Sequence, residues 1–139
     1  MAEGDKPRKI VLLVDDDVMH LSLTRLALKD KYGVYAAKSG EEALDFLDKN
    51  HIVPDLILLD IMMPVMDGWV VFDKISNIAS LKFTPIMFYT SLDEESTVER
   101  AYELGIFDYI TKPCEQSILL EKVENALEKA ESHKQRYGS

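Results

Sequence analysis

Four apolar segments of the sequence each end in polar residues that could share one chemical task. In chain order these residues are Asp15, Asp16 and Asp17, then Asp60, then Thr90 with Ser91, and finally Lys112 with Pro113. Taken singly, each has an ordinary structural role: Asp17 can cap a helix, Thr90 can belong to a turn, and Lys112 can be a surface charge. Found together, after four similar segments, they predict one site.

The chemistry that suits this set is the transfer of a phosphoryl group. Carboxylates from Asp15, Asp16 and Asp60 in one pocket would repel each other, and burial would raise the pKa of at least one of them. A divalent cation relieves that repulsion, and Mg²⁺ prefers a few carboxylate oxygens together with waters and a phosphate oxygen. Lys112 supplies a second positive charge and Thr90 a hydroxyl donor, so Asp60 can attack phosphorus as a carboxylate nucleophile.

Short apolar runs alternate with helical patterns along the chain, which predicts an α/β fold. The predicted strands are Ile10–Val14, Val34–Ala37, Leu56–Asp60, Ile86–Thr90 and Asp108–Thr111. Their apolar character predicts a doubly wound parallel sheet, with helices on both faces. Right-handed crossovers place the carboxyl end of every strand at one edge of such a sheet, where ligands bind. The fold therefore gathers the polar residues into one pocket.

Helical segments complete the alternation. They are predicted from Val18 to about Asp30, from Ser39 onward, from near Gly68 to Ala79, from Ser91 to Leu104, and from about Glu115 to Ala130. Gly33 is the predicted C-terminal cap of the first helix. The segments Ser39-Gly40-Glu41-Glu42 and Ser91-Leu92-Asp93-Glu94 match the capping box that begins a helix.

Composition narrows the class of protein. The chain has 139 residues, one cysteine and a formal net charge of −9, values that suit a single domain in a reducing cytoplasm. The negative charge disfavours direct nucleic-acid binding, and no apolar run approaches the roughly 18 residues of a membrane span. The histidines His20, His51 and His133 lack metal-ligand spacing, so we expect packing or solvated roles for them.

We expect a flexible segment over residues 1–8, one domain over 9–130 and a polar, fraying tail over 131–139.

The sequence resembles the receiver domain of two-component response regulators, the CheY-like family. The matching motifs are Leu12-Leu13-Val14-Asp15-Asp16, the run from Leu59 through Met63-Pro64 to Asp67-Gly68, Tyr89-Thr90-Ser91, and Tyr109-Ile110-Thr111-Lys112-Pro113. The resemblance implies a five-stranded sheet of order 2-1-3-4-5, the order given for CheY among flavodoxin-like folds.

The resemblance also implies a role for each site residue. Asp60 would be the phosphoacceptor, while Asp15, Asp16 and the backbone carbonyl of Met62 would complete a Mg²⁺ site with it. Thr90 and Lys112 would contact the phosphoryl oxygens, Thr90 and Tyr109 would form the switch, and the Lys112–Pro113 bond would be cis. Cys114, where the family often has phenylalanine, departs from the pattern, and Met62 stands where a polar side chain can occur.

The implied partners are proteins. A sensor histidine kinase or a phosphotransfer protein would donate the phosphoryl group. A downstream protein, an output domain or a second copy of the chain would read the surface formed by the fourth helix, fifth strand and fifth helix. We expect no appended DNA-binding or enzymatic domain in this sequence, which is either a stand-alone regulator or a receiver taken from a longer protein. The kinase and the output are not readable from it.

Three alternatives stay open at the level of sequence. A phosphatase of the haloacid-dehalogenase type also uses a strand-terminal aspartate, but it needs a second aspartate at the position of Met62. A flavodoxin-like binding protein would need a first loop that cradles phosphate, whereas Asp15-Asp16-Asp17 would repel it. A degenerate receiver, acting only as an interaction module, is disfavoured by the complete set of site residues.

Overall fold

A computed structural model describes residues 7–49 and 52–138, and within them the strands form one parallel sheet. The strands are β1 (Ile10–Val14), β2 (Gly33–Ala37), β3 (Leu56–Leu59), β4 (Ile86–Thr90) and β5 (Asp108–Thr111). They lie in the order β2-β1-β3-β4-β5, and all of their pairings are parallel. The predicted fold class and strand order are confirmed. Residues 1–6 of the predicted flexible segment and His51 lie outside the described residues.

Helices cover both faces of the sheet. They are α1 (Val18–Leu28), α2 (Gly40–Lys49), α3 (Gly68–Ser76), α4 (Glu95–Leu104) and α5 (Gln116–Tyr137), with a 3₁₀ turn at Ala79–Leu81. Alternate residues of β1 enter different cores: Leu12 and Val14 pack with α2, α3 and α4, while Val11 and Leu13 pack with α1 and α5. This division explains the uninterrupted apolar runs of β1, β3 and β4, because these inner strands are buried on both faces.

Backbone pairing corrects two predicted boundaries near β2. Helix α1 ends at Leu28, and Gly33 is the first residue of β2 instead of the cap of α1. The Gly33 amide donates to the Lys9 carbonyl at 2.9 Å, so Gly33 takes part in the backbone pairing of the sheet. The capping box at the start of α2 is confirmed: the Glu42 amide donates to Ser39 Oγ, and the Lys38 amide donates to Glu42 Oε1, both at 3.0 Å.

Helix α3 is shorter than predicted: it ends at Ser76, after which the Asn77 and Ile78 amides donate to carbonyls three residues back. Ser76 Oγ donates to the Phe72 carbonyl at 2.7 Å, and Asn77 Nδ2 donates to the Asp73 carbonyl at 2.8 Å. Ala79 therefore lies outside the helix, in the exposed 3₁₀ turn.

The predicted capping box at Ser91 is wrong. Helix α4 begins at Glu95, and its N-cap residue, Glu94, makes no side-chain capping bond. The Ser91 hydroxyl faces Met62 Sδ, 3.9 Å away across the neighbouring loop, so Ser91 belongs to the edge of the sheet and not to the helix.

Helix α5 continues past Ala130 to Tyr137, so the predicted fraying tail is helical. An ion pair between Lys9 Nζ and Glu131 Oε1, at 2.8 Å, joins this extension to the residue before β1. The rings of Phe83 and His133 also meet, with centroids 5.6 Å apart. These tertiary contacts stabilise the polar end of the helix, and they could not be predicted from the local sequence.

The loop after β3 folds back so closely that only glycine fits at position 68. A Cβ atom at Gly68 would lie 2.5 Å from the Asp60 carbonyl oxygen and 2.6 Å from Ile61 Cα. The Gly68 amide donates to the Ile61 carbonyl at 2.8 Å, which ties the start of α3 to the residue after Asp60. The position of Asp60 thus depends on this contact.

We predict that Gly68→Ala lowers the free energy of unfolding by about 2 kcal/mol or more, because backbone atoms must move to admit the methyl group. Gly33→Ala is the matched control, since its Cβ would meet nothing closer than 3.7 Å. That variant should be unchanged or up to about 1 kcal/mol more stable. Urea unfolding measures both, and equal effects at the two positions would contradict the close approach.

Candidate functional site at the carboxyl edge of the sheet

The strand ladder carries the predicted site residues to one edge of the sheet. Asp15 and Asp60 follow β1 and β3, and the Asp60 amide donates to the Val14 carbonyl at 2.9 Å. Thr90 ends β4, and the amide of Lys112, just after β5, donates to the Thr90 carbonyl at 2.8 Å. Backbone hydrogen bonds thus continue one residue past the strands and fix where these four side chains begin.

Lys112 joins the two buried carboxylates. Its Nζ atom lies 2.6 Å from Asp15 Oδ2 and 3.2 Å from Asp60 Oδ2. Asp15 and Asp60 are 5% and 7% exposed, so water screens these ion pairs poorly. The Lys112–Pro113 peptide bond is cis, as the resemblance implies.

The environment of Asp15 stabilises its charge. Burial alone would raise its pKa, but hydrogen bonds from His20 and Lys112 and from the Asp17 amide outweigh that effect and lower the pKa to about 2. The Asp15 oxygens divide these partners: Oδ2 faces Lys112 and His20 Nδ1, and Oδ1 accepts from the Asp17 amide at 2.9 Å. Asp15 is therefore a stably charged partner for any cation in the site.

The environment of Asp60 has the opposite effect. Burial raises its pKa, the nearby Asp15 charge raises it further, and Thr90 and Lys112 only partly oppose the shift. Oδ1 of Asp60 accepts a hydrogen bond from the Met62 amide at 3.2 Å. The pKa values of Asp15 and Asp60 are thus shifted in opposite directions, because Asp15 accepts hydrogen bonds from the stronger set of donors.

The structure gives His20 a role that the sequence analysis missed. Its Nδ1 lies 3.0 Å from Asp15 Oδ2, and its ring meets the edge of Tyr89 at a centroid distance of 4.9 Å. Asp17 caps α1 by accepting from the His20 amide at 3.2 Å, so His20 lies in the first turn of the helix. Helical side chains point toward the N-terminus, and here the N-terminus lies beside Asp15. That spacing was the signal available in the sequence.

Tyr109 is buried, with its hydroxyl donating to the Leu92 carbonyl at 2.6 Å. The Leu92 amide in turn donates to Thr90 Oγ1 at 3.4 Å. Leu92 therefore connects the two predicted switch residues through its backbone. Neither bond was readable from the sequence, because both depend on the path of the loop between β4 and α4.

The loop between Asp60 and α3 contains a strained residue at its tip. Val65 has a φ of 68°, and the Met66 amide donates to the Pro64 carbonyl at 2.7 Å, which makes a tight γ-turn. A β-branched residue rarely adopts this conformation. Val65 is also 94% exposed, so it presents an apolar side chain to solvent beside the site.

Asp16 completes an acidic group with the two buried aspartates. One carboxylate oxygen from each of Asp15, Asp16 and Asp60 lies within 4.8 Å of the others, and Asp16 is exposed to solvent. Among the described residues, Lys112 is the one lysine or arginine in an ion pair with this group, and it contacts Asp15 and Asp60. This excess of negative oxygen ligands fits a hard divalent cation such as Mg²⁺. The predicted acidic cluster is therefore present, with one open side.

Comparison with known proteins decides the family. The model of the response regulator receiver domain matches residues 11–124. The chain belongs to the response regulator receiver domain family. Receiver domains are signalling modules, and this membership, together with Met62 at the position of the second aspartate, counts against the phosphatase alternative.

Curated relatives of this receiver domain are longer proteins. It is 30% identical to the transcriptional regulatory protein PdtaR of Mycobacterium tuberculosis, over 91% of this chain and 60% of PdtaR. It is 33% identical to the response regulator PleD of Caulobacter vibrioides, over 81% of this chain and 25% of PleD. The chain thus spans less than two thirds of the length of either relative.

Solved structures share the fold of this receiver domain. A CheY-like receiver domain protein from Methanospirillum hungatei is 27% identical and superposes with a TM-score of 0.82, covering 91% of this chain and 98% of that one. The receiver domain of a signal transduction histidine kinase from Syntrophus aciditrophicus is 30% identical with a TM-score of 0.78, covering 87% and 91%. None of the helices in the described part of the chain is long and apolar enough to cross a membrane.

The contrast between the two aspartates predicts opposite effects of the same substitution in magnesium-free buffer. Asp15→Asn should lower the free energy of unfolding at neutral pH by about 2 kcal/mol, because a carboxylate with a depressed pKa stabilises the fold. Asp60→Asn should raise it, because burial disfavours the Asp60 charge.

The pH dependence supplies the control for this pair. The Asp15 contribution should persist above the unfolded pKa near 3.8 and disappear as the pH falls toward its folded pKa of about 2. The gain from Asp60→Asn should fade as the pH drops through the raised pKa of Asp60 toward 3.8. Urea unfolding across this range measures both, and effects of the same sign would refute the assignment.

Proposed function

We propose that Asp60 accepts a phosphoryl group from a phosphohistidine on a sensor histidine kinase or a phosphotransfer protein. The observation that carries this proposal is the Lys112 ammonium held between the buried carboxylates of Asp15 and Asp60, with Thr90 beside them. We assign this role to a receiver domain over residues 9–130 and place it in the cytoplasm. Residues 131–137 continue α5 beyond that domain.

The proposed step is one displacement at phosphorus. An oxygen of the Asp60 carboxylate attacks the phosphorus atom, the P–N bond of the phosphohistidine breaks, and its electron pair stays on the imidazole nitrogen. The product is an acyl phosphate on Asp60. Lys112 and Thr90 are placed to contact the phosphoryl oxygens, as a cation and a hydroxyl donor.

A Mg²⁺ ion fits the acidic group. In the proposal, Asp15, Asp16, Asp60 and the Met62 carbonyl hold it, with Asp16 acting through a water. When bound, the ion neutralises negative charge on the carboxylates and on the phosphoryl oxygens. The protein supplies the rest: Lys112 keeps Asp60 oriented, and His20 and the Asp17 amide keep Asp15 charged and in place.

Phosphorylation would be read on the face formed by α4, β5 and α5. The new group adds a charge of roughly −1.5 to −2 beside Thr90 and Lys112. If the Thr90 hydroxyl turns to donate to it, the hydrogen bond from the Leu92 amide to Thr90 Oγ1 is lost. Leu92 also holds Tyr109, so this change reaches the loop before α4. Tyr109 is inward in this structure, and phosphorylation then shifts a population that already exists.

The partners of that face are proteins: a downstream protein, an output domain or a second copy of the chain. The face needs only a few kcal/mol of differential affinity to report phosphorylation. Direct nucleic-acid binding by this domain is not part of the proposal, because the chain carries a formal net charge of −9.

Labelling with a small phosphodonor tests the phosphoacceptor. Acetyl phosphate and Mg²⁺ should add one hydroxylamine-labile phosphoryl group per chain, because the oxygens of Asp15 are occupied by His20, Lys112 and the Asp17 amide, which leaves Asp60 as the nucleophile. Asp60→Asn should abolish labelling, and Asp73→Asn, at an exposed aspartate of α3, should leave it intact. Intact-protein mass spectrometry gives the result, and stoichiometric labelling of Asp60→Asn would contradict the assignment.

Thermal melting tests the metal site without any phosphodonor. Millimolar Mg²⁺ should raise the melting temperature by about 2 °C or more, because binding to the folded chain relieves repulsion among the three carboxylates. Asp16→Ala should reduce that gain, and Asp73→Ala should not. An equal gain in the chain and in Asp16→Ala would exclude Asp16 from the site.

The switch is tested by removing one hydroxyl. Tyr109→Phe loses the bond to the Leu92 carbonyl but keeps the ring, so amide resonances of residues 92–104 should move before any activation. Beryllofluoride, a phosphoryl mimic, should move the same amides in the unmodified chain. Tyr32→Phe, a buried tyrosine on the other face, is the control. Beryllofluoride shifts confined to the surroundings of Asp60 would mean that this face does not signal.

A further inference from the structure

A second cavity lies at the opposite end of the sheet from Asp60. Its volume is about 730 Å³, within the range of small-molecule sites. Ile86, the first residue of β4, lines this cavity, while Thr90, the last, lies at the acidic site. The two places are therefore about 13 Å apart along one strand. They share no lining residue.

The cavity has an apolar floor and aromatic walls. Ile75, Ile86 and Ile106 are 1%, 7% and 5% exposed and form part of the floor. Phe83 and His133 stand at the side, with ring centroids 5.6 Å apart. A flat apolar body fits such walls, because rings stack against it without needing hydrogen bonds.

The ionisable residues of the lining are of the basic types. They are Lys82, Lys129 and His133, and no aspartate or glutamate accompanies them, although the chain as a whole has 25 acidic and 16 lysine or arginine residues. None of the ion pairs found in the described part of the chain involves Lys82 or Lys129. The Lys82 Nζ atom lies 5.0 Å from the centroid of the Phe83 ring. Two ammonium groups thus border a cavity with an apolar floor, and neither is in an ion pair among the described residues.

Helix α4 ends at this cavity, and two of its last four carbonyls are bonded within the chain. Carbonyls at the C-terminus of α4 would repel an anion if they were free. Instead, the Gly105 amide donates to the Tyr102 carbonyl and the Ile106 amide to the Ala101 carbonyl, both at 3.1 Å. These bonds satisfy the carbonyls of Ala101 and Tyr102 with amides of the same chain.

From this combination we propose that the cavity binds a small amphipathic anion, a molecule with a flat apolar body and one carboxylate, sulfonate or phosphate group. The body lies on the isoleucine floor beside Phe83, and the anionic group meets Lys82 and Lys129. The site is separate from the phosphorylation of Asp60. Because its lining includes Leu104 of α4 and Ala130 of α5, an occupant would contact both helices of the face that we propose as the output.

A matched pair of probes tests the proposal on the full, unphosphorylated chain. 8-Anilinonaphthalene-1-sulfonate carries the anionic group, and N-phenyl-1-naphthylamine is nearly the same molecule without it. The sulfonate should bind once per chain, move the amides of residues 81–86 and 104–107 in NMR spectra, and bind at least about tenfold more tightly than the uncharged probe. Equal affinity of the two probes, or shifts scattered elsewhere, would overturn the proposal.

Reversing the charge of the two lysines that border the cavity is the second test of the proposal. The double variant Lys82→Glu, Lys129→Glu should weaken sulfonate binding at least about tenfold. The control Lys31→Glu, Lys38→Glu has the same net charge at exposed lysines outside the cavity, and it should change affinity less than about twofold. Equal loss in both double variants would reduce the effect to net charge and overturn the site. Asp60→Asn should bind the sulfonate as the unmodified chain does, which separates this result from the fate of the phosphoacceptor.

Discussion

The ammonium group of Lys112 is the contact on which the site depends. It touches two buried carboxylates that would otherwise repel each other at close range without water to screen them. Without the Lys112 ammonium, the charges of Asp15 and Asp60 would be buried without this compensating cation. With it, the three carboxylates still outnumber the single ammonium group that contacts them. That excess, together with exposed Asp16, keeps the site attractive to a cation and open on one side.

The sheet provides the rigidity that this contact requires. Lys112 comes from beyond β5 and reaches across to Asp15 beyond β1, so their separation is set by the whole register of β1, β3, β4 and β5. Backbone bonds from Asp60 to Val14 and from Lys112 to Thr90 extend the ladder just past the strand ends. On the other side of Asp60, Gly68 permits the close return of the loop. A slip at any of these points would separate the charges.

The sequence was informative where a local pattern has a single physical meaning. Buried apolar strands ending in Asp15, Asp60, Thr90 and Lys112 predicted the parallel sheet and its edge, since alternation with helices leaves few other folds. It failed where a side chain had two available partners. Ser91 could cap a helix but faces Met62 instead, and Gly33 could end α1 but pairs with β1. The Leu92 link to Tyr109 depends on a loop path that no local pattern encodes, whereas the contact of His20 with Asp15 follows from its place in the first turn of α1 and was overlooked.

The central claim is that one lysine and its neighbours make two adjacent aspartates chemically different. The direct measurement is the titration of the Asp15 and Asp60 carboxyl carbons by ¹³C NMR in magnesium-free buffer, followed residue by residue because the two groups interact. The account predicts a midpoint of about 2 for Asp15 and a midpoint above 3.8 for Asp60. Two midpoints at the ordinary aspartate value, or a lower midpoint for Asp60 than for Asp15, would contradict it.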